Sequence, residues 1–284
     1  MKNFGNWFWG TIIVVAVFAI GGGFFGGQSI GRAGAMPAKM QVPDIAPVPV
    51  QRALVGARGM NGKLDAYQAA IDAAVVDRPD GWAAGTAPAE SDPVRLAIIV
   101  TGMGIDDTLD KSFVQIPYAL TFGVAATGEP PSQVLRGDSR ALVIDTEGAR
   151  SVDAVWNRLQ QQRAGGVLTP LAGHPPRPDP LVRRLRGSGA FLIDGMADGA
   201  SKYYAAARDD SVPAASRDIV IDAYDEEGYV AYMLHEAVRL ARRTGVAIVV
   251  AHATPDTFEA LRKNLGRLVT DNSVQIVPVG ELVR

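Results

Sequence analysis

No cysteine occurs in the 284 residues of this chain. Disulfides, thiolate nucleophiles, zinc fingers and iron–sulfur clusters are excluded together. The compartment stays open, because reducing and oxidising locations both tolerate cysteine-free proteins. Histidine is scarce as well: His174, His235 and His252 are the whole supply. Nor is there an excess of charge, with 28 Lys and Arg against 30 Asp and Glu, a net −2. Nucleic-acid binders carry a clustered basic footprint. The densest basic group here, Arg183, Arg184 and Arg186, sits beside Gly187 and Gly189 and reads as a solvated helix end suited to the C-terminal dipole. Nucleic acid is therefore not an expected partner. At 48% hydrophobic and 20% charged residues, the chain has apolar surface for a packed core and too little charge for wholesale disorder.

What is present first is one long apolar run. Residues 8–25, FWGTIIVVAVFAIGGGFF, are eighteen positions without a charge, about the minimum for crossing a ~30 Å hydrocarbon core as a helix. Trp7 and Trp9 stand where an aromatic belt meets the interface. Ala33-Gly34-Ala35 has the small-x-small form of a signal cleavage site, yet the run is longer than most signal cores and Arg32 intrudes. Residues 1–27 are read as a transmembrane anchor in preference to a cleaved signal, with the bilayer as partner through residues 8–25. Orientation is open on charge alone. Only Lys2 and the α-amino group precede the run, while Arg32, Lys39 and Arg52 follow it, and the positive-inside rule by itself would leave the rest cytoplasmic.

Residues 28–93 read as a linker. Residues 37–50, PAKMQVPDIAPVPV, carry four prolines in fourteen positions and favour a semi-rigid polyproline II spacer. A short helix is expected over 63–77, with Leu64, Ala70, Ile71 and Val75 near one face. A second spacer, 79–93, is rich in Pro, Gly and Ala.

From Arg95 the texture changes. Residues 95–100, 141–145, 190–194, 219–222, 247–251 and 274–277 are short, continuous, largely β-branched apolar runs, as in parallel strands buried on both faces. Further strands are expected at 119–124 and 166–171. Helical patterns cover 151–164, 179–187, 226–243 and 255–268, with Ser151 as an N-cap and Gly245 as a stop. Strands alternating with helices predict right-handed βαβ units and an α/β barrel or open sheet over 94–284.

The strand ends carry the chemistry. Asp145, Asp194 and Asp222 close three of the runs, and His252 follows a fourth. In such folds the C-terminal strand ends share one rim, where sites assemble. A single Asp there more often caps a helix or starts a turn; four together predict a shared cleft. His174, in AGHPPRPDP, reads as a loop residue and His235 as an ordinary helix-face residue. Tyr203 and Tyr204 fit a plain amphipathic helix better than a glycan-binding rim. Gly102 and Gly104 in TGMGID lack the third glycine of a dinucleotide turn and the lysine of a P-loop.

The order RDIVID (217–222), long helix, VAIVVAHATPDT (246–257), helix, VQIVPVGEL (274–282) resembles the closing half of the divergent polysaccharide deacetylase family. GAFLID (189–194) matches that family's strand ending in Asp, and RLAIIVTGMG (95–104) sits where it has a strand followed by Asp-Asp-Leu-Gly. The resemblance spans about 190 residues and is most specific in its C-terminal half. It implies a deacetylase-type (β/α) barrel and, in active relatives, a divalent metal, usually zinc, that activates water against an N-acetyl group.

The departures are specific. Thr101-Gly102 replaces the paired aspartates, and GVLTPLAG, with Pro170, replaces the segment bearing the family's Asn-His-Met-Gly. Asp194, Arg217, Asp222 and His252 remain. A catalytic zinc needs three protein ligands and an open position, so the set reads as incomplete. The expectation is a non-catalytic relative in the cell envelope, binding a glycan or a partner, with no cofactor. One alternative is an active deacetylase or esterase with zinc or another divalent metal on His252, Asp222 and Asp145. In that reading Asp194, Asp222 and His252 are catalytic, while Thr101, Asp145 and His174 meet substrate. Another is a structural accessory subunit of a membrane complex. With the apolar run read as an anchor, the resemblance tips the orientation outward: a single-pass inner-membrane protein with its C-terminal domain in the periplasm is expected. Arg217, five residues before Asp222, would lie about 16 Å away along an extended strand, at the opposite end of the barrel.

Overall fold

Apolar runs without alternation belong in strands covered on both faces, and the computed structural model of the chain puts them there. It describes residues 93–128, 138–171, 177–196, 201–271 and 273–283. The expected anchor over 8–25, the spacers, the helix over 63–77 and His174 lie outside these. Among the described residues, no helix is long and apolar enough to cross a membrane.

The strands are β1 (Val94–Met103), β2 (Thr121–Ala125), β3 (Leu142–Asp145), β4 (Gly166–Leu168), β5 (Phe191–Asp194), β6 (Ala214–Ser216), β7 (Ile219–Val220), β8 (Val246–His252) and β9 (Val274–Ile276). The helices are α1 (Asp107–Val114), α2 (Val152–Gln162), α3 (Asp179–Leu185), α4 (Tyr203–Asp209), α5 (Glu227–Thr244) and α6 (Pro255–Asp271). All strand pairs are parallel, in the order β6-β5-β4-β3-β2-β1-β8-β7, with β9 on the N-terminal part of β1.

The two ends of that order are halves of one segment. Residues 214–216 pair with β5, and Arg217 N–H still donates to Asp194 O at 2.9 Å. One residue later, Asp218 N–H donates to Ile248 O at 2.7 Å, and 219–220 pair with β8. The sheet is thereby curled back toward itself.

β1 lies near the middle of this sheet, and Leu96 through Val100 are fully buried. Each of the Leu, Ile and Val side chains among them contributes roughly 1.5–3 kcal/mol relative to exposure. α5 packs on β8 and β1, and α6 on α5 and β9, burying Tyr229, Met233, Leu234, Leu261 and Leu265. Ser151 caps α2 by accepting from Ala154 N–H at 3.1 Å, and Gly245 ends α5 at φ 83°. Sequence periodicity missed α1, which Asp106 caps by accepting from Thr108 and Leu109 N–H, and β6, whose Ala-Ala-Ser has no β-branched residue.

Candidate functional site

β8 ends on His252 and β7 runs on to Asp222, level with it across the ladder. The imidazole Nδ1 lies 3.2 and 3.1 Å from the two carboxylate oxygens of Asp222. The backbone N–H of His252 donates to the same carboxylate, and the Thr257 hydroxyl, near the start of α6, donates at 3.4 Å. The Asp222 side chain is 2% exposed, while that of His252 is 39% exposed. The carboxylate is thus a buried anchor and the imidazole the accessible partner. Burial pulls the imidazole pKa down, but the Asp222 hydrogen bond and charge, with the charges of Glu147 and Asp145, outweigh it and hold it above its ordinary value.

Asp145 closes β3 on the same rim. It is buried, accepts from Glu147 N–H at 2.9 Å, and burial pushes its pKa up to about 6 against the opposing pull of that hydrogen bond and of His252. It is near enough to His252 for the two charges to act on each other, and it makes the rim around the imidazole acidic.

Asp194 is differently employed. Its carboxylate accepts from Ser201 Oγ at 2.7 and 2.6 Å, Met196 N–H at 3.1 Å, Tyr204 N–H at 3.0 Å and Thr169 Oγ at 3.4 Å. It is 2% exposed. Burial raises its pKa while these donors oppose the rise. Four donors consume the lone pairs that a general base or metal ligand would need; the side chain ties β5 to the start of α4.

Thr101, expected to meet substrate, is 1% exposed and donates its hydroxyl to Ala251 O at 3.2 Å. A Cβ on Gly123 would stand 3.1 Å from its methyl group, so the side chain is packed between β2 and β8 and faces no cleft. Gly102 follows at φ +78°, beside an irregularity in the β1–β2 register between Val100 and Met103. His235 lies exposed on α5, as its helical setting predicts.

The expectation for Arg217 is overturned. Its Nε donates to Gly195 O, and Nη2 to Leu171 O at 3.2 Å. Both carbonyls lie just beyond the C-terminal ends of β5 and β4, so Arg217 belongs to the same rim as the strand-end carboxylates. The reason is the split strand. Arg217 ends the half that pairs with β5, whereas Asp222 follows the half that pairs with β8, and one segment reaches the rim twice as the sheet staggers.

Among the described residues, no group of three or more His, Asp or Glu side chains is placed to hold a metal ion. Asp222 is occupied by His252 and Thr257, Asp194 by the β5–α4 connection, and Thr101 and Gly102 offer no carboxylate. These residues do not fit a catalytic zinc, which takes three protein ligands.

Three comparisons bear on the fold and lineage. An uncharacterized protein from Haemophilus influenzae is 30% identical over 104 residues, covering 37% of this chain and 36% of that one. The chain thus spans about a third of that relative's length. The crystal structure of an uncharacterized protein from Agrobacterium tumefaciens C58 superposes with a TM-score of 0.57 at 23% identity, over 70% of this chain and 93% of its own; the fold is shared. Residues 171–283 match the divergent polysaccharide deacetylase family, and they hold Asp194, Arg217, Asp222 and His252. Over this C-terminal part the chain is similar to the divergent polysaccharide deacetylases.

Proposed function

We propose that this protein is a membrane-tethered member of the cell envelope whose deacetylase-like barrel binds a glycan or a protein partner without hydrolysing it. One observation carries the reading: among the described residues one imidazole, His252, stands on the rim against an Asp222 whose oxygens are already engaged, with no three-residue ligand set. Such a pair presents an imidazole edge at a half-open rim and suits recognition. Among the described residues it stands without the further ligands that would hold a metal to activate water. The apolar run at 8–25 supports a single-pass inner-membrane anchor, and the similarity to glycan-directed deacetylases supports the periplasmic side for the barrel.

The full chain, purified in detergent, tests this. Metal content by plasma mass spectrometry should be well below one equivalent, and N-acetyl-glucosamine oligomers should release no acetate. Retention on an immobilised envelope glycan, lost in His252→Ala with an unchanged melting temperature, supports the glycan reading. Stoichiometric co-purification of a membrane protein instead favours the partner. One bound equivalent of zinc or nickel together with acetate release overturns the proposal.

A further inference from the structure

Beside the His252 rim, the connection from β3 to α2 opens into a cavity of about 390 Å³, within the usual range of small-molecule sites. It begins at Thr146, one residue past Asp145. Its walls include Val155 and Leu181, buried in α2 and α3, with Pro170 and Pro180. Two exposed arginines, Arg150 and Arg177, also line it. Neither has a carboxylate partner among the described residues.

Tyr203 is the second observation. It lines the cavity and is 3% exposed. Its phenol is a donor on the cavity wall that a ligand oxygen can engage. Burial, with the charge of Asp194, pushes its pKa up to about 12, so it is a donor at any ordinary pH. The first turn of α2, capped by Ser151, adds the positive end of a helix dipole. Asp153, also in that turn, offsets part of this field.

We propose that this cavity binds a carboxylate carried on a compact apolar body, the carboxylate held by Arg150, Arg177 and the Tyr203 hydroxyl. Two planar forks match a planar anion better than point charges do, and the aliphatic and proline walls take the body. The site needs neither a glycan nor the loss of hydrolysis, so it goes beyond the preceding proposal and does not depend on it.

Isothermal titration of the full chain in detergent with benzoate, and with benzamide as its neutral isostere, decides the matter. Benzoate should saturate, and benzamide should bind at least ~tenfold more weakly, as expected when a charge-assisted bond is lost. Arg150→Gln/Arg177→Gln should lose at least ~tenfold in benzoate affinity, and Tyr203→Phe severalfold, whereas Arg262→Gln, on α6, should match the wild type. No saturation by benzoate, equal binding of benzamide, or wild-type affinity in the double variant overturns the proposal. Inorganic phosphate binding more tightly than benzoate overturns the carboxylate assignment. The benzoate–benzamide contrast uses the unmodified protein and stands even if a variant folds poorly.

Discussion

The Nδ1 of His252 faces both carboxylate oxygens of Asp222, at 3.2 and 3.1 Å, and this fixes which imidazole nitrogen is turned inward. The neutral ring carries its proton on Nδ1 and leaves Nε2 as the outward acceptor.

Asp222→Asn should therefore lower the titration midpoint of His252, read from its imidazole proton resonances. The raised pKa contributes stability that is fully present below the unfolded value of about 6.5 and is lost as pH rises through the folded value. The stability deficit of Asp222→Asn against wild type should accordingly be largest below pH ~6.5 and shrink above it. A midpoint that does not move would show that the pairing has no electrostatic weight.

Asp145 titrates with the opposite consequence. An acid whose folded pKa is about 6, against 3.8 as the ordinary value, loses stability as pH rises from about 4 to 6. Two units correspond to about 3 kcal/mol at most. Asp145→Asn keeps an acceptor for Glu147 N–H and removes the buried charge. Chemical denaturation at pH 7 should find it more stable by about 1–3 kcal/mol, with a flatter profile between pH 4 and 6. An unchanged profile would show that the carboxylate is solvated.

Arg217 joins the carbonyls beyond β4 and β5. Removing hydrogen bonds to a charged donor costs about 1.5–3 kcal/mol, so Arg217→Ala should lower the melting temperature by several degrees. Arg217→Lys should recover little of this, because an ammonium cannot span two carbonyls as the planar fork does. Full recovery with lysine would show that only the charge matters.

Restoring aspartates at Thr101 and Gly102 tests how much of the first motif is lost. Gly102 sits at φ +78°, where a side chain is strained, and Thr101 is packed against Gly123. Thr101→Asp/Gly102→Asp should thus lose about 1–3 kcal/mol and gain no zinc affinity by calorimetry. A gain in affinity would show that the loss is of side chains alone and that the backbone still suits the metal.

Much of the sheet was legible because apolar runs such as RLAIIV and VAIVV are long enough to specify buried strands, and their terminal Asp and His residues mark the rim. Three things were not. Ala214–Ser216 forms a strand through its neighbours and has little propensity of its own. The partners of Asp194, Ser201 and Tyr204 above all, come from a later loop, so its role as a tether cannot be read from FLID. The position of Arg217 depends on stagger between strands, a long-range property invisible to spacing within one strand. Counting 3.3 Å per residue gave its distance from Asp222 along the chain but not which rim it reached.

The segment 214–220 shares its hydrogen bonding between two neighbours, β5 for the first half and β8 for the second. Neither neighbour holds it over its full length, so the sheet has a short seam at which both sides can let go with few bonds broken. Amide protons at Arg217 and Asp218, bonded to Asp194 O and Ile248 O, should exchange with deuterium through a local opening, well before those of β1. The same seam sets the order of assembly. One of its two neighbours is made earlier in the chain and the other later, so the ring cannot be closed until the residues of β8 have left the ribosome.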